Sequence, residues 1–367
     1  MNVPRRKTTA LLAAMAASVF SLPGMAQELK TYASLSDTRP GNITVLENNR
    51  VIITQQPLDN PTLRVVEVAP DGTKRPFPTQ DWADGPDIGE VGIAATIGID
   101  TDSNGVVWIL DMGDQNNPAQ LVGWDTRANE LHKVITIPAD ATLPISFLQD
   151  FAIDEKRGKI YIADMTFTAP ATDMRPAFVV VDIETGEARR VLQAAPPLMP
   201  VYHDVVIVGQ PMAAQGTDGG EPTPWHLAMN AISIDPAFEH VYFGTVNGST
   251  IFRLPAAALA DPTLEDEQRI EHIEPYADKR PNDGFIYSAG LDGVVSGDIE
   301  QHAVTLSTPD AMTTLAQDEE HLRWPDGFAY GPDGTLYITS NQLNTHPALN
   351  AGEDGSDRQY YIMTLSP

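Results

Sequence analysis

Residues 324–341 read WPDGFAYGPDGTLYITSN, and this stretch decides the fold. Two runs rich in apolar and β-branched residues, 328–330 and 336–340, flank the tetrapeptide Gly-Pro-Asp-Gly at 331–334. Proline fixes one backbone dihedral and glycine accepts a positive φ, so the tetrapeptide favours a tight turn between antiparallel strands. The stretch therefore predicts a β-hairpin that begins just after a polar residue, Asp326.

The same pattern of anchor residue, apolar strand, turn and apolar strand recurs five more times upstream. The six anchors are Asn42, Gly98, Asp150, Asn230, Asp283 and Asp326, and five of them are polar. Most are spaced by about 40 to 55 residues, and an all-strand repeat of roughly this length is typical of one four-stranded propeller blade. The sequence predicts an all-β, six-bladed β-propeller in which the longest step, from 150 to 230, contains a blade and an insertion.

The two ends of the chain are predicted to meet in the sixth blade. Residues 37–56 are assigned to blade one, and only one strand, 360–365, remains after the last inner hairpin. The sixth blade therefore lacks its outermost strand, which we expect the mature N-terminus, around residues 28–32, to supply. Such closure removes the open sheet edges that favour aggregation.

Residues 1–26 have the pattern of a secretory signal peptide. A basic segment, residues 5–7, precedes an apolar run at 10–20 that is too short to span a bilayer, and small residues precede a cleavage site near Ala26. We expect a secreted or periplasmic protein whose residues 27–367 form a single propeller domain.

The composition restricts the partners. The chain has no cysteine, so its stability must come from the core, and its net charge of −27 argues against nucleic acid and anionic membrane surfaces as partners. The acidity favours solubility or the attraction of cationic ligands. We expect a monomer that binds a small molecule. Two long polar loops, 203–226 and 341–358, are predicted to cover one face of the propeller.

The polar anchors form the candidate site. Since inner strands line the channel of a propeller, Asn42, Asp150, Asn230, Asp283 and Asp326 are expected at equivalent positions around one mouth. Their oxygens would suit Ca²⁺, Mg²⁺ or a cationic amine. Grouped carboxylates raise one another's pKa, so Asp150, Asp283 and Asp326 are candidate general bases. The alternative is that the anchors cap backbone N–H groups and tie blades together.

Aromatic residues and one histidine lie near the anchors in sequence. Trp225 and Trp324 precede their anchors and are candidates to contact a ligand, where an aromatic face could hold a cation. His226 is a candidate acid or base. The phenylalanines beside the anchors, at 151, 285 and 328, are expected to pack between blades.

Several stretches in one order resemble the major royal jelly protein and yellow family, in its bacterial branch. They are RPGNITV at 39–45, ILDMG and QLVGWD within 109–125, LQDFAID at 148–154, FVVVDIETGEARRVL at 178–192, DVVIVGQPM at 204–212 and WPDGFAYGPDGTLYITSNQL at 324–343. The resemblance implies a secreted six-bladed propeller. In that family some members are linked to dopachrome conversion and others bind biogenic amines in the central channel.

A more distant resemblance is to the gluconolactonase and regucalcin group, which implies one divalent cation held by a Glu, two Asn and an Asp. Residues 229–233 and 281–285 are similar to an Asn-containing and the Asp-containing motif, which makes Asn230 and Asp283 candidate ligands. Asp150 stands where that group has its other Asn. The Glu has no counterpart, and Asn42 stands in its place.

Three functions follow from these patterns. The first is an exported yellow-type propeller that binds a small molecule, such as an aromatic amine or quinone, at the mouth of its channel. The second is a metal-dependent lactonase or esterase, using Ca²⁺ or another divalent cation. The third is a protein-interaction scaffold.

Overall fold

The computed structural model describes residues 28–86, 91–168, 173–216 and 220–366, so the predicted signal peptide lies outside the described residues. Within these ranges the chain forms six four-stranded antiparallel sheets. Each innermost strand contacts the innermost strands of the sheets before and after it, and the last contacts the first. This closed ring is a six-bladed β-propeller, as predicted.

The blades contain these strands, from the channel outward. Blade one has β2 (Pro40–Val45), β3 (Val51–Gln55), β4 (Val65–Val68) and β5 (Lys74–Pro76); blade two has β6 (Thr96–Thr101), β7 (Val106–Asp111), β8 (Gln120–Asp125) and β9 (Glu130–Thr136); blade three has β10 (Leu148–Asp154), β11 (Lys159–Asp164), β12 (Ala177–Asp182) and β13 (Ala188–Val191). Blade four has β18 (Met229–Ile234), β19 (His240–Thr245), β20 (Thr250–Pro255) and β21 (Glu274–Asp278); blade five has β22 (Phe285–Ser288), β23 (Gly293–Asp298), β24 (Ala303–Ser307) and β25 (Met312–Gln317); blade six has β26 (Pro325–Tyr330), β27 (Leu336–Ser340), β28 (Tyr360–Leu365) and β1 (Leu29–Leu35). Blade one thus extends beyond the predicted 37–56 by two strands.

The N-terminal strand closes the sixth blade. β1 pairs antiparallel with β28, from Leu29 opposite Leu365 to Leu35 opposite Tyr360. This confirms the predicted closure, with a strand that runs three residues past the predicted end. Because the first and last strands share one sheet, the ring cannot open without breaking a whole ladder of hydrogen bonds.

The hydrophobic core lies between the blades. Between blades three and four, for example, Tyr161 and Phe178 pack against Phe243 and Leu254, and the rings of Phe178 and Phe243 meet edge-on at 5.3 Å. Equivalent clusters fill the other five inter-blade spaces, and they contain the phenylalanines predicted to lie there, at 151, 285 and 328. Every second side chain along a strand is therefore buried against the sheet of the adjacent blade.

Two long loops cover the face on which the anchors lie. We call the described parts of residues 201–228, together with residues 341–358, the lid. The N–H of Trp225 Nε1 donates to the carbonyl of Ala348 at 2.8 Å, and Ala213 forms a bridge with Asn350. The two predicted loops therefore join and cover one face. The first loop contains two small sheets, β14 (Val206–Ile207) with β15 (Gln210–Pro211) and β16 (Ala213–Ala214) with β17 (Thr223–Pro224).

Helices form only a small share of the described residues. The described residues contain three short α-helices, α1 (Gln80–Ala83), α2 (Ala256–Ala260) and α3 (Asp266–Ile270), and 3-10 turns at Pro57–Asp59, Pro196–Leu198 and Leu343–Thr345. None of the described helices has the length and apolar character needed to cross a membrane.

Candidate functional site

A cavity of about 730 Å³ follows the propeller axis and is lined by the inner strands. This volume lies in the range of small-molecule sites. At one end the lining residues are the five polar anchors, beneath the lid. At the other end they are turn residues, including the exposed Glu155, Leu291 and Gly334. The channel is therefore open on the face opposite the lid, and the anchors lie at its closed end rather than at an open mouth as predicted.

The anchors occupy two successive positions of the inner strands, not one. In blade one, Thr54 Oγ1 accepts from the backbone N–H of Asn42 at 2.9 Å. In blade six, Thr339 Oγ1 accepts the equivalent bond from Gly327 at 2.8 Å. Gly327 therefore corresponds to Asn42, and Asp326 lies one residue closer to the lid.

The ladder register gives the same result in blades three and four. Asp150 pairs with Ala163, whereas its counterpart in blade four is Ala231, which pairs with Gly244. Asn230 is thus level with Gln149. The prediction that the five anchors are equivalent is therefore wrong, because the polar residue falls one position earlier in the inner strands of blades four and six than in those of blades one and three. A register shift lies at the same place in five of the six inner strands, so the difference of one residue becomes clear only from the pairing.

Small residues permit this stagger. A Cβ on Gly327 would lie 2.7 Å from Asn42 Cα, and one on Gly284 would lie 2.2 Å from the carbonyl oxygen of Asp326. Gly98, the anchor without a polar side chain, would place a Cβ 3.1 Å from Asp150 Cα. Each of these glycines lets the next blade approach the channel closely.

A hydrogen-bonded network connects the anchors nearest the lid. Asp283 Oδ2 accepts from Trp324 Nε1 at 2.7 Å, and Asp283 Oδ1 accepts from Asn230 Nδ2. Asp326 Oδ2 accepts from Asn341 Nδ2 at 2.7 Å. One position further from the lid, Asn42 Nδ2 donates to Asp150 Oδ1 at 3.0 Å. The structure therefore brings all five predicted polar anchors together, in two tiers.

Burial dominates the ionisation of Asp283 and Asp326. Burial raises the pKa of Asp283, against the lowering effect of the donors Trp324 and Asn230. Burial also raises the pKa of Asp326 well above its usual value, and the charges of Asp283 and Asp150 raise it further. Since Asp283 already accepts from two N–H donors, it is the better place for the negative charge. The hydrogen bond between the two carboxyls lowers the pKa of Asp283 and raises that of Asp326, so Asp326 is the member of the pair that protonates more readily.

The channel is acidic throughout. Among the described residues, its lining includes six carboxylates and neither lysine, arginine nor histidine; the six are Asp100, Asp150, Glu155, Asp235, Asp283 and Asp326. The side chain of Asp100 is exposed within the channel, but protein atoms surround the channel on all sides. This burial raises the pKa of Asp100 to about 7, and the negative charges of Asp102 and Glu155 raise it further. Asp235 lies beside His240, whose Nδ1 is 3.5 Å from Asp235 Oδ2. The charge of the other five carboxylates is not balanced by a basic side chain of the described lining.

Two of the buried amide oxygens without a hydrogen-bond partner belong to residues that line the cavity. Gln149 and Asn230 line the cavity and are 7% and 3% exposed, and their side-chain oxygens accept no hydrogen bond. Neutral oxygens beside carboxylates are the donor set that Ca²⁺ or Mg²⁺ prefers. However, in the described residues no three His, Asp or Glu side chains are grouped as a metal site. A divalent cation thus fits the oxygen chemistry here but would depend on amide oxygens.

The comparisons with known proteins establish the family. A family model described as major royal jelly protein matches residues 94–365. The chain belongs to the major royal jelly protein family. No curated protein gives a significant sequence match. Membership of the family supports the propeller fold but does not identify the function, because proteins of one fold can have many functions.

Solved structures of similar fold are distant in sequence. A gluconolactonase from Xanthomonas campestris has a TM-score of 0.55 and 13% identity over 92% of this chain and 90% of that one. A calcium-binding regucalcin from Agrobacterium tumefaciens has a TM-score of 0.52 and 15% identity, over 91% and 93%. A luciferin-regenerating enzyme has a TM-score of 0.54 and 9% identity, over 93% and 95%. At these identities the likeness concerns the fold alone.

Three predicted ligand-contacting residues of this family member lie outside the cavity. Trp324 is 1% exposed and holds Asp283 from the lid side, and Trp225 belongs to the apolar cluster of the lid. His226 Nε2 lies 2.8 Å from Asp204 Oδ1 at the surface of the lid. Their sequence proximity to the anchors does not bring them to the channel, because the chain passes from lid to blade between them and the anchors.

Other lining residues were not predicted. Gln149 directly precedes an anchor, and Asp100 follows Gly98 by two residues, so alternation along the strand could have indicated Asp100. Asn341, which binds Asp326, lies at the end of the stretch that decides the fold. Tyr330 also lines the cavity, and nothing in the sequence signals this position.

Proposed function

We propose that the channel binds a small organic cation, such as an aromatic amine, with its ammonium group at the closed end. The observation that carries this proposal is the unbalanced acidity of the channel, whose described lining has six carboxylates and no basic side chain. Buried carboxylates are costly unless they are protonated or paired with a positive charge. A ligand that brings that charge would be favoured over a neutral or anionic one.

The walls suit the rest of such a ligand. Phe151, Phe285 and Phe328 line the cavity near the anchors, and aromatic faces attract ammonium groups as well as aromatic rings. A neutral quinone would gain from the aromatic walls but would leave the carboxylates without a counter-charge.

Amine binding is expected to be selective for charge. We would titrate 2-phenylethylamine and the neutral 2-phenylethanol into the protein by calorimetry near neutral pH. The amine should bind at least about tenfold more tightly, because a charge-assisted hydrogen bond contributes roughly 1.5–3 kcal/mol and 1.4 kcal/mol is a factor of ten. Asp326→Asn should weaken amine binding by a similar factor, whereas Asp310→Asn, on an exposed turn, should not. Equal affinities for amine and alcohol would contradict the proposal.

A second candidate function is metal-dependent hydrolysis of a lactone or related ester. The unpartnered oxygens of Gln149 and Asn230, next to Asp283, favour it. A bound divalent cation would polarise the substrate carbonyl. Of this chain's residues, Asp150 would be the group to take a proton from water, since Asp326 is the carboxyl of the acidic pair that protonates more readily. The predicted export would place this chemistry, like amine binding, in a periplasm or outside the cell.

Calcium should then raise the melting temperature. A ligand present at 100 times its Kd stabilises the folded state by about 2.7 kcal/mol, which corresponds to a shift of several degrees. We would compare the protein in EDTA and in Ca²⁺, with Asn230→Leu as a variant that removes one amide oxygen. No shift in the wild-type protein with Ca²⁺ would exclude a calcium-dependent function, and no shift with Mg²⁺ or Mn²⁺ either would leave the organic cation.

A further inference from the structure

The carboxylates of the channel lie in a line from the closed end to the open end. Asp150 lies near the start of β10 and Glu155 directly follows its end, so at about 3.3 Å per residue they are separated by roughly 16 Å along the axis. Asp100 lies between these levels. Gly98 is level with Asp150, because a Cβ on Gly98 would lie 3.2 Å from Asp150 Oδ1. Asp100 follows Gly98 by two residues, so it lies roughly 7 Å closer to the open end than Asp150 does. All three residues line the same cavity, on the side of blades two and three.

Neighbours in this line influence each other electrostatically. The charge of Asp100 raises the pKa of Asp150, and the charge of Glu155 raises that of Asp100. At the closed end Asp150 in turn raises the pKa of Asp326. Negative charge at any one level therefore disfavours negative charge at the next, and no basic side chain in the described lining relieves this.

Between the carboxylates the same wall is aliphatic. Ile97, Ile99, Ala152 and Ile153 line the cavity on the two strands that carry Asp100 and Asp150. Each of these four residues is at most 5% exposed, so narrow aliphatic strips between the carboxylates can contact the methylene groups of a ligand. The alternation of carboxylate and hydrocarbon matches a chain molecule whose charges are separated by short alkyl segments.

The closed end shows a second, independent sign of a ligand. The side-chain oxygens of Gln149 and Asn230 accept no hydrogen bond although both residues are more than nine-tenths buried and line the cavity. Buried amide oxygens normally find a donor. A primary ammonium group carries three N–H donors, enough for a carboxylate and two such oxygens.

We propose that the ligand is a linear polyamine that lies along the channel, with a terminal ammonium at Gln149, Asn230 and the acidic pair. Its following ammonium groups lie beside Asp100 and Glu155. This inference rests on the proposed binding of an organic cation and adds the number and spacing of its charges. Glu155 is held in place at the open end by Ser103, whose backbone N–H donates to its carboxylate at 2.9 Å.

Calorimetric titration with a graded set of amines tests this. At constant ionic strength, affinity should rise from n-butylamine to putrescine, spermidine and spermine, with spermine at least about tenfold tighter than n-butylamine, since close charge pairs contribute more than 1.4 kcal/mol each. Glu155→Gln and Asp100→Asn should each lower the ratio of spermine to n-butylamine affinity by about tenfold. Asp310→Asn, which removes one exposed charge away from the channel, is the matched control for net charge and should leave the ratio unchanged.

The outcomes separate the two proposals. If n-butylamine and 2-phenylethylamine bind but spermine binds no more tightly, the polyamine inference is overturned and the organic-cation site stands. The same follows if spermine is preferred equally by Glu155→Gln, Asp100→Asn and the control, because the preference then comes from the overall charge of the protein. If no amine binds, both proposals fall.

Discussion

Replacement of Gly284 by alanine is expected to destabilise the propeller by about 3 kcal/mol or more. The new Cβ would lie 2.2 Å from the carbonyl oxygen of Asp326, an atom of the adjacent blade's backbone that cannot rotate away. Overpacking of this kind usually costs about 1–3 kcal/mol, and a clash with backbone lies at the upper end. The free energy of unfolding from denaturant titration measures the effect.

Gly290→Ala is the matched control in the same blade. No atom lies within 4 Å of its Cβ position, and the residue has no positive φ, so the substitution should be neutral or slightly stabilising. Similar unfolding midpoints for the two variants would show that the close approach of blades five and six is not required. The account of the staggered anchors would then lose its structural basis.

Asp283→Asn and Asp326→Asn are expected to change stability in opposite directions at neutral pH. An asparagine at 283 must direct an NH₂ group at either Trp324 Nε1 or Asn230 Nδ2, both of which are donors. One buried donor is then unsatisfied, which costs about 1–3 kcal/mol. An asparagine at 326 can keep the bond from Asn341 with its oxygen and donate to Asp283 with its nitrogen. It reproduces the protonated form of Asp326 and should be at least as stable as the wild type.

The pH dependence of unfolding separates these roles further. An unfolded aspartate titrates near 3.9, and the pKa values of Asp283 and Asp326 are raised in the folded protein. Above about pH 4 the folded state therefore binds more protons than the unfolded state. The contribution of these groups is fully present below that pH and is lost as the pH rises through their folded pKa values.

Asp326→Asn should remove much of this loss, so its advantage over the wild type should grow with pH. Melting curves recorded between pH 5 and pH 9 would show it. If the melting temperatures of the wild type and Asp326→Asn changed with pH in the same way, Asp326 would not be a carboxyl that takes up a proton in the folded state.

The architecture could be predicted from the sequence because each blade repeats a local signal. The tetrapeptide at 331–334 and its counterparts mark turns, and the strands between them alternate in a period of two. The need for an N-terminal strand in blade six also follows from the sequence, because only one strand remains after the last inner hairpin. By contrast β5, with the sequence Lys-Arg-Pro, is three residues long and has no apolar residue other than proline, so the outer half of blade one gives little signal.

The arrangement of the site could be predicted only in part. The five polar anchors converge as expected, but they lie in two tiers, because the polar residue occupies one of two successive positions beside the register shift of its inner strand. The closed end depends on contacts between Ala213 and Asn350, residues far apart in sequence. Trp324 precedes its anchor by two residues, yet a positive φ of 61° at this residue helps to direct its ring towards the lid. No periodic pattern encodes these long-range contacts.

An organic cation at the closed end is expected to displace a proton from Asp326, the more readily protonated carboxyl of the acidic pair. We would titrate 2-phenylethylamine by calorimetry near neutral pH in two buffers with different enthalpies of ionisation. The apparent enthalpy should differ between the buffers, corresponding to release of up to about one proton per amine bound, and this difference should be largely absent in Asp326→Asn. Binding with the same enthalpy in both buffers, or no binding at all, would contradict it.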